Sequence, residues 1–194
     1  LAADGDRLLA DEMGLGKTVE AALALPVRAP VVIVCPAVVK GVWREELRRW
    51  RPDYLVTILS GRGSFRWPLA GQAVVLNYDL LPDEAPAPPR ECVLIGDEIH
   101  AVKTPKAQRT NRWRALAKAV AAQGGCRWGL TGTPLPNWPP DLWHVLYGLG
   151  LAEIAFDSWP TFLRLFDGHR GRFGLVWGRE FNGRRVVNVH PEVA

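Results

Sequence analysis

The sequence predicts an α/β fold in three layers, with helices on both faces of a central, mainly parallel sheet. Short β-branched or apolar runs recur along the chain, and segments with helical periodicity separate them, which is typical of parallel sheets. The clearest helical segment has Val39, Trp43, Leu47 and Trp50 on one face, as expected of a helix packed on a sheet. With 194 residues, of which 48% are hydrophobic, the chain can bury one sizeable core. We therefore expect a single globular lobe.

The individual elements follow from these patterns in chain order. Strands are expected at residues 7–10, 31–35, 56–59, 73–76, 92–95 and 127–131. Helices are expected at residues 18–25, 39–50, 106–122, 140–149 and 159–165. The proline-rich stretch 82–89 is expected to be an exposed connection, because proline lacks a backbone donor. Trp43 and Trp50 share the apolar face of their helix, so both are expected to anchor the core.

A glycine-containing segment, residues 10–18, lies between the first predicted strand and the first predicted helix. Its two glycines let successive N–H groups face a phosphate at the positive end of that helix. Lys17 would reach the β- and γ-phosphates, and Thr18 would ligate Mg²⁺. The expected nucleotide-binding residues are Met13, Gly14, Leu15, Gly16, Lys17 and Thr18. Asp11 stands where the strict pattern has its first glycine, so a chance glycine-rich turn is the alternative.

Two adjacent carboxylates follow the apolar run 93–95, at the end of a strand where open α/β sheets present ligands. Asp97 would hold Mg²⁺ through its water shell, whereas Glu98 would orient the attacking water and accept its proton. His100 is expected to act as a hydrogen-bonding relay. The alternative is a strand end with solvated acids. Together with the glycine-containing segment, the pair predicts ATP and Mg²⁺ as cofactors and Lys17, Asp97 and Glu98 as catalytic residues.

Further segments stand in a fixed order after the glycine-containing one. They are residues 34–47, 75–79, 97–103 and 130–134, the last reading Leu-Thr-Gly-Thr-Pro, with Asn137, Leu142, Trp143 and Leu146 continuing it. In this order, and with Asp-Glu-Met-Gly-Leu-Gly-Lys-Thr at 11–18, they resemble the motifs of the Swi/Snf-type DNA-dependent ATPases of helicase superfamily two. The resemblance extends from residue 8 to about residue 150 and implies a RecA-like, P-loop first lobe.

The resemblance also implies roles for residues outside the ATP site. Residues near the nucleic-acid backbone would be Pro36, Ala37, Tyr78, Asp79 and Lys103. Residues that couple the state of ATP to lobe movement would be His100, Thr131, Gly132 and Thr133. The chain departs from the family pattern at Asn77, where Thr or Ser is usual, at Ile99, where Ala is commoner, and at Thr104, where Asn often follows the lysine. None of these departures removes a catalytic group.

In function, the resemblance implies an ATP hydrolase that moves along double-stranded DNA. Residues 1–150 would form the ATP-binding lobe, and residues 151–194 a helical, basic extension leading to a second RecA-like lobe of the same polypeptide. That second lobe would carry the arginine that completes the ATP site, so the isolated fragment is expected to be weak or inactive. The alternatives are a nucleotide- or DNA-binding module without turnover, and a strand-separating DNA or RNA helicase.

Charge and composition add weaker constraints. The formal charge of +4 permits a polyanionic partner without requiring one, and the basic residues could follow phosphates or simply face solvent. Three widely spaced cysteines indicate reduced thiols. No apolar run has the length of a membrane span, so no membrane partner is expected. The protein is expected to be intracellular, in the cytoplasm or nucleoid if bacterial and in the nucleus if eukaryotic.

Overall fold

The central sheet has six parallel strands. The computed structural model describes residues 5–61, 63, 65–84, 87–133, 138–171, 174–181 and 184–186. The strands are β1 Arg7–Leu9, β2 Val31–Cys35, β3 Leu55–Ile58, β4 Gln72–Asn77, β5 Val93–Asp97 and β6 Cys126–Leu130. Their spatial order is β1-β6-β5-β2-β4-β3, and every neighbouring pair is parallel. The predicted parallel α/β sheet is confirmed, and the ends of each predicted strand lie within two residues of the observed ends.

Helices follow the strands, and all but the short fifth one correspond to helices that the sequence predicts. They are α1 Lys17–Ala24, α2 Lys40–Trp50, α3 Gln108–Ala122, α4 Pro139–Leu149, α5 Ala152–Phe156 and α6 Trp159–Leu165. Short 3₁₀ helices follow β2, β4 and β5, at Ala37–Val39, Tyr78–Leu80 and Ile99–Val102. The prolines at the start of α4 suit a first helical turn, where the missing N–H would have no intrahelical acceptor. The described residues contain no helix with the length and apolarity to cross a membrane.

The two faces of the sheet are covered by different helices. Ile33 and Ile95 pack with α1 and α2, whereas Leu94 packs with α3 and α4 on the opposite face. Successive side chains of a strand point to opposite faces, and β2 is buried along its whole length. Strands buried on both faces have continuous apolar sequences rather than alternating ones, which is why their runs are conspicuous.

One prediction for the core is wrong. Trp43 and Leu47 are fully buried, but Trp50 is 41% exposed. Its Nε1 donates to Oε2 of Glu46 at 2.9 Å, and the guanidinium of Arg49 lies 5.0 Å from its ring centroid. Trp50 is the last residue of α2. Helical periodicity assigns it to the apolar face, but the neighbouring elements do not bury that end of the helix.

The region after α4 has an apolar cluster of its own. Trp143 packs against Trp159 and Phe162, with ring centroids 5.2 and 5.3 Å apart. Beyond α6 lie antiparallel strands that the sequence did not predict: β7 Gly168–Gly171, β8 Gly174–Trp177, β9 Arg179–Phe181 and β10 Arg184–Val186. Apart from β8, these short strands have at most one apolar residue each, so they lack the signal that identified the central sheet.

Candidate functional site

The loops predicted to bind a nucleotide leave the sheet along one edge. Leu130 of β6 pairs with Leu9 of β1 on one side and with Asp97 of β5 on the other. Neighbouring strands lie about 4.8 Å apart, so Leu9 and Asp97 are separated by roughly 10 Å across β6. The loops that follow these three strands therefore start side by side, at the carboxyl ends where α/β sheets bind ligands.

The loop before α1 turns on two glycines. Gly14 has φ 86° and Gly16 has φ 83°, values in the left-handed region that favours glycine. The side chains of Met13 and Leu15 are 76% and 67% exposed. The atoms of the loop that face the start of α1 are therefore mainly backbone atoms. Within the described residues no side chain caps α1, which leaves its first N–H groups and the positive end of its dipole facing outward. This geometry suits a phosphate group.

Lys17, the first residue of α1, folds its ammonium group back into the loop. Its Nζ donates to the carbonyl oxygens of Asp11 and Glu12, both at 2.7 Å. These residues and the rest of the loop up to Gly16 are exposed. The cation is therefore held at the opening of the loop, next to Thr18, where an anion at the start of the helix would meet it.

Asp97, the last residue of β5, receives hydrogen bonds from several elements. Trp43 Nε1 donates to Oδ2 at 2.8 Å, and the backbone N–H of Glu98 donates to Oδ1 at 3.1 Å. The hydroxyl of Tyr78 donates to the carbonyl oxygen of Asp97 at 2.8 Å. Burial raises the pKa of Asp97, while the bond from Trp43 and the charge of Lys17 oppose the rise. Lys17 and Asp97 therefore act on each other electrostatically.

Glu98 turns the chain sharply out of the sheet. Its backbone has φ 51° and ψ 52°, a left-handed conformation that costs a non-glycine residue about 1–3 kcal/mol. Its Oε2 lies 3.2 Å from Nδ1 of His100. The same Nδ1 lies 3.1 Å from Oγ1 of Thr131 and 3.5 Å from Oγ1 of Thr133. His100 thus joins the second carboxylate of the pair to the loop after β6.

The loop after β6 also touches the loop before α1. The backbone N–H of Thr131 donates to the carbonyl of Leu9 at 3.0 Å. A Cβ added to Gly132 would lie 2.5 Å from Cγ of Met13, so the absence of a side chain permits this close approach. The structure thereby brings together the predicted coupling residues and the predicted nucleotide-binding loop. Two residues of the same motif, Pro134 and Asn137, lie outside the described residues.

The residues expected near nucleic acid follow β2, β4 and β5 at the same edge. Cys35 and Asn77 are paired in the sheet, so the segments that begin with Pro36 and Tyr78 leave it side by side. Ala37 and Asp79 are exposed and Pro36 is half-buried. These exposed positions form a surface beside the acidic pair.

The side chains of Tyr78 and Lys103, also expected near nucleic acid, are bonded to other elements of the fold. Tyr78 is buried, and its hydroxyl is bonded to β5. Lys103 follows the 3₁₀ helix after β5, and its Nζ lies 3.0 Å from Oδ2 of Asp141 at the start of α4. Both side chains therefore connect elements of the fold.

The groups that surround the first carboxylate are not evident from the sequence pattern. Helical periodicity predicts only a core position for Trp43, although the period of two along β5 places Asp97 on the face that α2 covers. Cys35 also lies on that face. Burial, together with the nearby charge of Asp97, raises the pKa of Cys35 to about 12, which keeps the thiol protonated.

A magnesium ion would suit the oxygen atoms at this edge. Mg²⁺ is usually held by one or two protein oxygens together with phosphates and water. Thr18 offers a hydroxyl in the first turn of α1, and Asp97 offers a carboxylate on the face that α1 and α2 cover. The donor chemistry therefore fits the predicted ion.

Comparisons with known proteins identify the family. A model of the SNF2-related domain matches residues 5–170. A SWI/SNF-related matrix-associated actin-dependent regulator of chromatin subfamily A-like protein 1 homolog of Caenorhabditis elegans is 34% identical over 184 residues, covering 88% of this chain and 25% of that protein. Protein CHROMATIN REMODELING 19 of Arabidopsis thaliana is 35% identical, with 72% and 21% covered. Helicase SWR1 of Saccharomyces cerevisiae is 32% identical, with 78% and 12% covered.

The chain thus spans a quarter or less of the length of these relatives. Among solved structures, the Sulfolobus solfataricus SWI2/SNF2 ATPase core in complex with dsDNA superposes with a TM-score of 0.63 at 24% identity, covering 84% of this chain and 35% of that one. This similarity confirms the predicted RecA-like fold. With the family match over residues 5–170, the chain belongs to the SNF2-related domain family.

Proposed function

We propose that this chain is the ATP-binding lobe of a DNA-dependent ATPase that moves along double-stranded DNA. The main support is the register of the sheet, in which Leu130 pairs with both Leu9 and Asp97. The glycine-containing loop after β1 and the acidic pair at the end of β5 therefore lie at the same end of the sheet. The two halves of a nucleotide site are thus within reach of a single triphosphate.

In this proposal the chain's residues divide the chemistry among them. The backbone from Met13 to Gly16 and the start of α1 cradle the phosphates, and Lys17 neutralises their charge. Thr18 and Asp97 would hold Mg²⁺, which would stabilise the negative charge of the phosphates. Glu98 orients the attacking water and accepts its proton.

The contacts of His100 support a coupling role for the loop after β6. Its ring is within hydrogen-bond distance of Glu98 and of Thr131. A change in the protonation or position of Glu98 during turnover would alter these contacts. Because Gly132 abuts Met13, the same loop would also respond to the phosphates. We therefore assign the coupling of the ATP state to lobe movement to His100, Thr131, Gly132 and Thr133.

Duplex DNA is the proposed partner. The Sulfolobus protein that shares this fold is described in complex with dsDNA, and the formal charge of this chain is +4. The exposed residues Ala37 and Asp79, with Pro36 beside them, offer the contact surface. Tyr78 and Lys103 would shape that surface through their bonds to Asp97 and Asp141.

A second RecA-like lobe of the same polypeptide is proposed to complete the site. Residues 1–150 would be the ATP-binding lobe, and residues 151–194 an extension leading to the second lobe. An arginine supplied from outside the nucleotide pocket is worth about three to five orders of magnitude in rate in other NTPases. The isolated fragment is therefore expected to hydrolyse ATP weakly or not at all. The compartment would be the cytoplasm or nucleoid in a bacterium and the nucleus in a eukaryote.

Nucleotide binding by the full-length protein tests the proposal. Lys17→Ala should abolish ATP binding, measured by calorimetry, whereas Lys118→Ala, an exposed lysine on α3, should leave it unchanged. Phosphate release by the full-length protein should rise with duplex DNA more than with single strands or RNA. Equal ATP binding by wild type and Lys17→Ala would refute the nucleotide site, and equal stimulation by all three nucleic acids would refute the preference for duplex DNA.

A further inference from the structure

We propose that Trp43 and Tyr78 are positioning residues that hold Asp97 in the orientation required for the metal, one from each face of the sheet. The inference depends on the proposed function, because it takes Asp97 as a residue that holds Mg²⁺ through the water shell of the ion. It assigns to two buried aromatic side chains a role beyond the packing of the core.

Trp43 holds the carboxylate itself. It is fully buried on α2, and its Nε1 donates to Oδ2 of Asp97 at 2.8 Å. The other oxygen, Oδ1, accepts the backbone N–H of Glu98 at 3.1 Å. With one donor on each oxygen the carboxylate plane is fixed, while each oxygen keeps lone pairs for further ligands. An indole N–H is a donor only, so it orients the carboxylate without competing for the cation.

Tyr78 holds the backbone on the other side. Its ring belongs to the core formed with α3 and α4, and its hydroxyl donates to the carbonyl of Asp97 at 2.8 Å. That carbonyl is part of the peptide joining Asp97 to Glu98. The bond therefore fixes the start of the left-handed turn at Glu98, which has φ 51°, and surrounding structure must maintain such a conformation.

A second buried tryptophan shows that a buried indole N–H does not require a carboxylate as its hydrogen-bond acceptor. Trp113 is also fully buried, and its Nε1 donates to the carbonyl of Gly148 at 3.0 Å. A backbone carbonyl is enough to satisfy a buried indole. Trp43 donates instead to an ionisable side chain at the end of β5. In other metalloproteins, hydrogen bonds of this kind orient the side chains that bind the metal.

Metal affinity measured directly tests this role. In the full-length protein with ADP present, free Mn²⁺ is followed by electron paramagnetic resonance. Trp43→Phe keeps an aromatic ring but removes the donor, and we expect it to weaken Mn²⁺ binding roughly 10- to 100-fold. Tyr78→Phe should weaken Mn²⁺ binding less, because it removes the hydrogen bond to the backbone carbonyl of Asp97 and leaves the hydrogen bonds to the carboxylate in place. ADP binding in EDTA should be unchanged in both variants.

Trp113→Phe is the matched control, because it makes the same ring change and also loses an indole hydrogen bond. We expect its Mn²⁺ affinity to equal that of the wild type. An equal loss in Trp113→Phe and Trp43→Phe would overturn the proposal in favour of general loosening of the core. Wild-type affinity in Trp43→Phe would also overturn it.

Two further measurements keep the outcome decisive. If circular dichroism shows that Trp43→Phe does not fold, Tyr78→Phe decides, and wild-type Mn²⁺ affinity in that variant overturns the proposal. If the wild-type protein binds no Mn²⁺ with ADP and Lys17→Ala behaves identically, the proposed function fails and this inference fails with it. If the wild type binds Mn²⁺ and the variants match it, only the positioning role fails.

Discussion

Charged side chains lie both where the parallel strands of the central sheet begin, the amino edge, and where they end, the carboxyl edge. The groups that form hydrogen bonds with these side chains differ between the two edges. At the amino edge the backbone N–H and Nε of Arg127 donate to Oδ1 of Asp6 at 2.7 and 2.9 Å, and the guanidinium also pairs with Oδ2. At the carboxyl edge the side chain of Asp97 accepts bonds from an indole and a backbone amide. At the amino edge a carboxylate is thus paired with a positively charged side chain. At the carboxyl edge the carboxylate of Asp97 is oriented by neutral donors, which leaves its negative charge available to a cation.

Backbone strain alone does not distinguish the edges. Glu91 precedes β5 with φ 55°, and Glu98 follows it with φ 51°. Glu91 is exposed, and its N–H donates to the carbonyl of Gln123 at 3.3 Å. Glu98 instead directs its carboxylate to His100 at 3.2 Å. A strained glutamate therefore indicates a functional position only when its side chain meets other functional groups.

The largest expected effect separates these two glutamates. In the full-length protein Glu98→Gln should lower DNA-stimulated turnover about 100- to 10,000-fold, the usual contribution of a general base, while ATP binding persists. Glu91→Gln, at the opposite end of the same strand, should turn over like the wild type. Phosphate release and nucleotide affinity measure both variants. Normal turnover by Glu98→Gln would exclude it as the base and make the two edges equivalent.

The next largest effect lies at the amino edge and concerns stability rather than turnover. Arg127→Ala leaves Asp6 partly buried without its ion pair, since the two side chains are only 16% and 19% exposed. We expect a loss of about 3 kcal/mol in the free energy of unfolding, as for other buried pairs. Urea denaturation measures it, with ATP affinity unchanged below the transition.

Arg44→Ala is the matched control for that experiment. Arg44 pairs with Glu45 at 3.3 Å, but these side chains are 54% and 59% exposed. Its loss should change stability by less than about 1 kcal/mol. If Arg127→Ala proved no worse than Arg44→Ala, the amino edge would not have the structural role assigned to it.

A smaller effect is expected where two loops of the carboxyl edge meet. Gly132→Ala would bring a Cβ to 2.5 Å from Cγ of Met13, forcing that side chain to move. Because the methionine is flexible, we expect a cost near the low end of overpacking, about 1 kcal/mol, or roughly fivefold in ATP affinity. Adding Met13→Ala should restore affinity. If the double variant bound ATP as weakly as Gly132→Ala, the contact would not be the cause.

The smallest effect is expected at Trp50. Although it shares the helical face of Trp43, it is 41% exposed. Trp50→Ala should therefore lower the free energy of unfolding by less than about 1 kcal/mol, whereas truncating a fully buried tryptophan costs about 3–5 kcal/mol. Urea denaturation of Trp50→Ala beside Trp113→Ala measures the difference. Equal losses would mean that the end of α2 is buried in the protein in solution.

Much of the site was predictable because its parts are local in sequence. Gly14, Gly16 and Lys17 stand together in one loop, and Asp97 and Glu98 are adjacent. Their convergence on one edge required only the rule that parallel strands present their carboxyl ends together. The bond between Trp43 and Asp97 was not predicted, since it joins a helix to a strand far along the chain and both residues have ordinary local explanations.

By itself, then, the sequence determined the strands of the central sheet, the helices that flank it and the two halves of the proposed nucleotide site, because periodicity and short motifs express local physics. Tertiary structure alone decided the strand order, the burial of Trp43 but not Trp50, and the partners of Tyr78 and Lys103. It also decided the antiparallel strands after α6. These features depend on which surfaces meet across long stretches of chain, and no single segment contains that information.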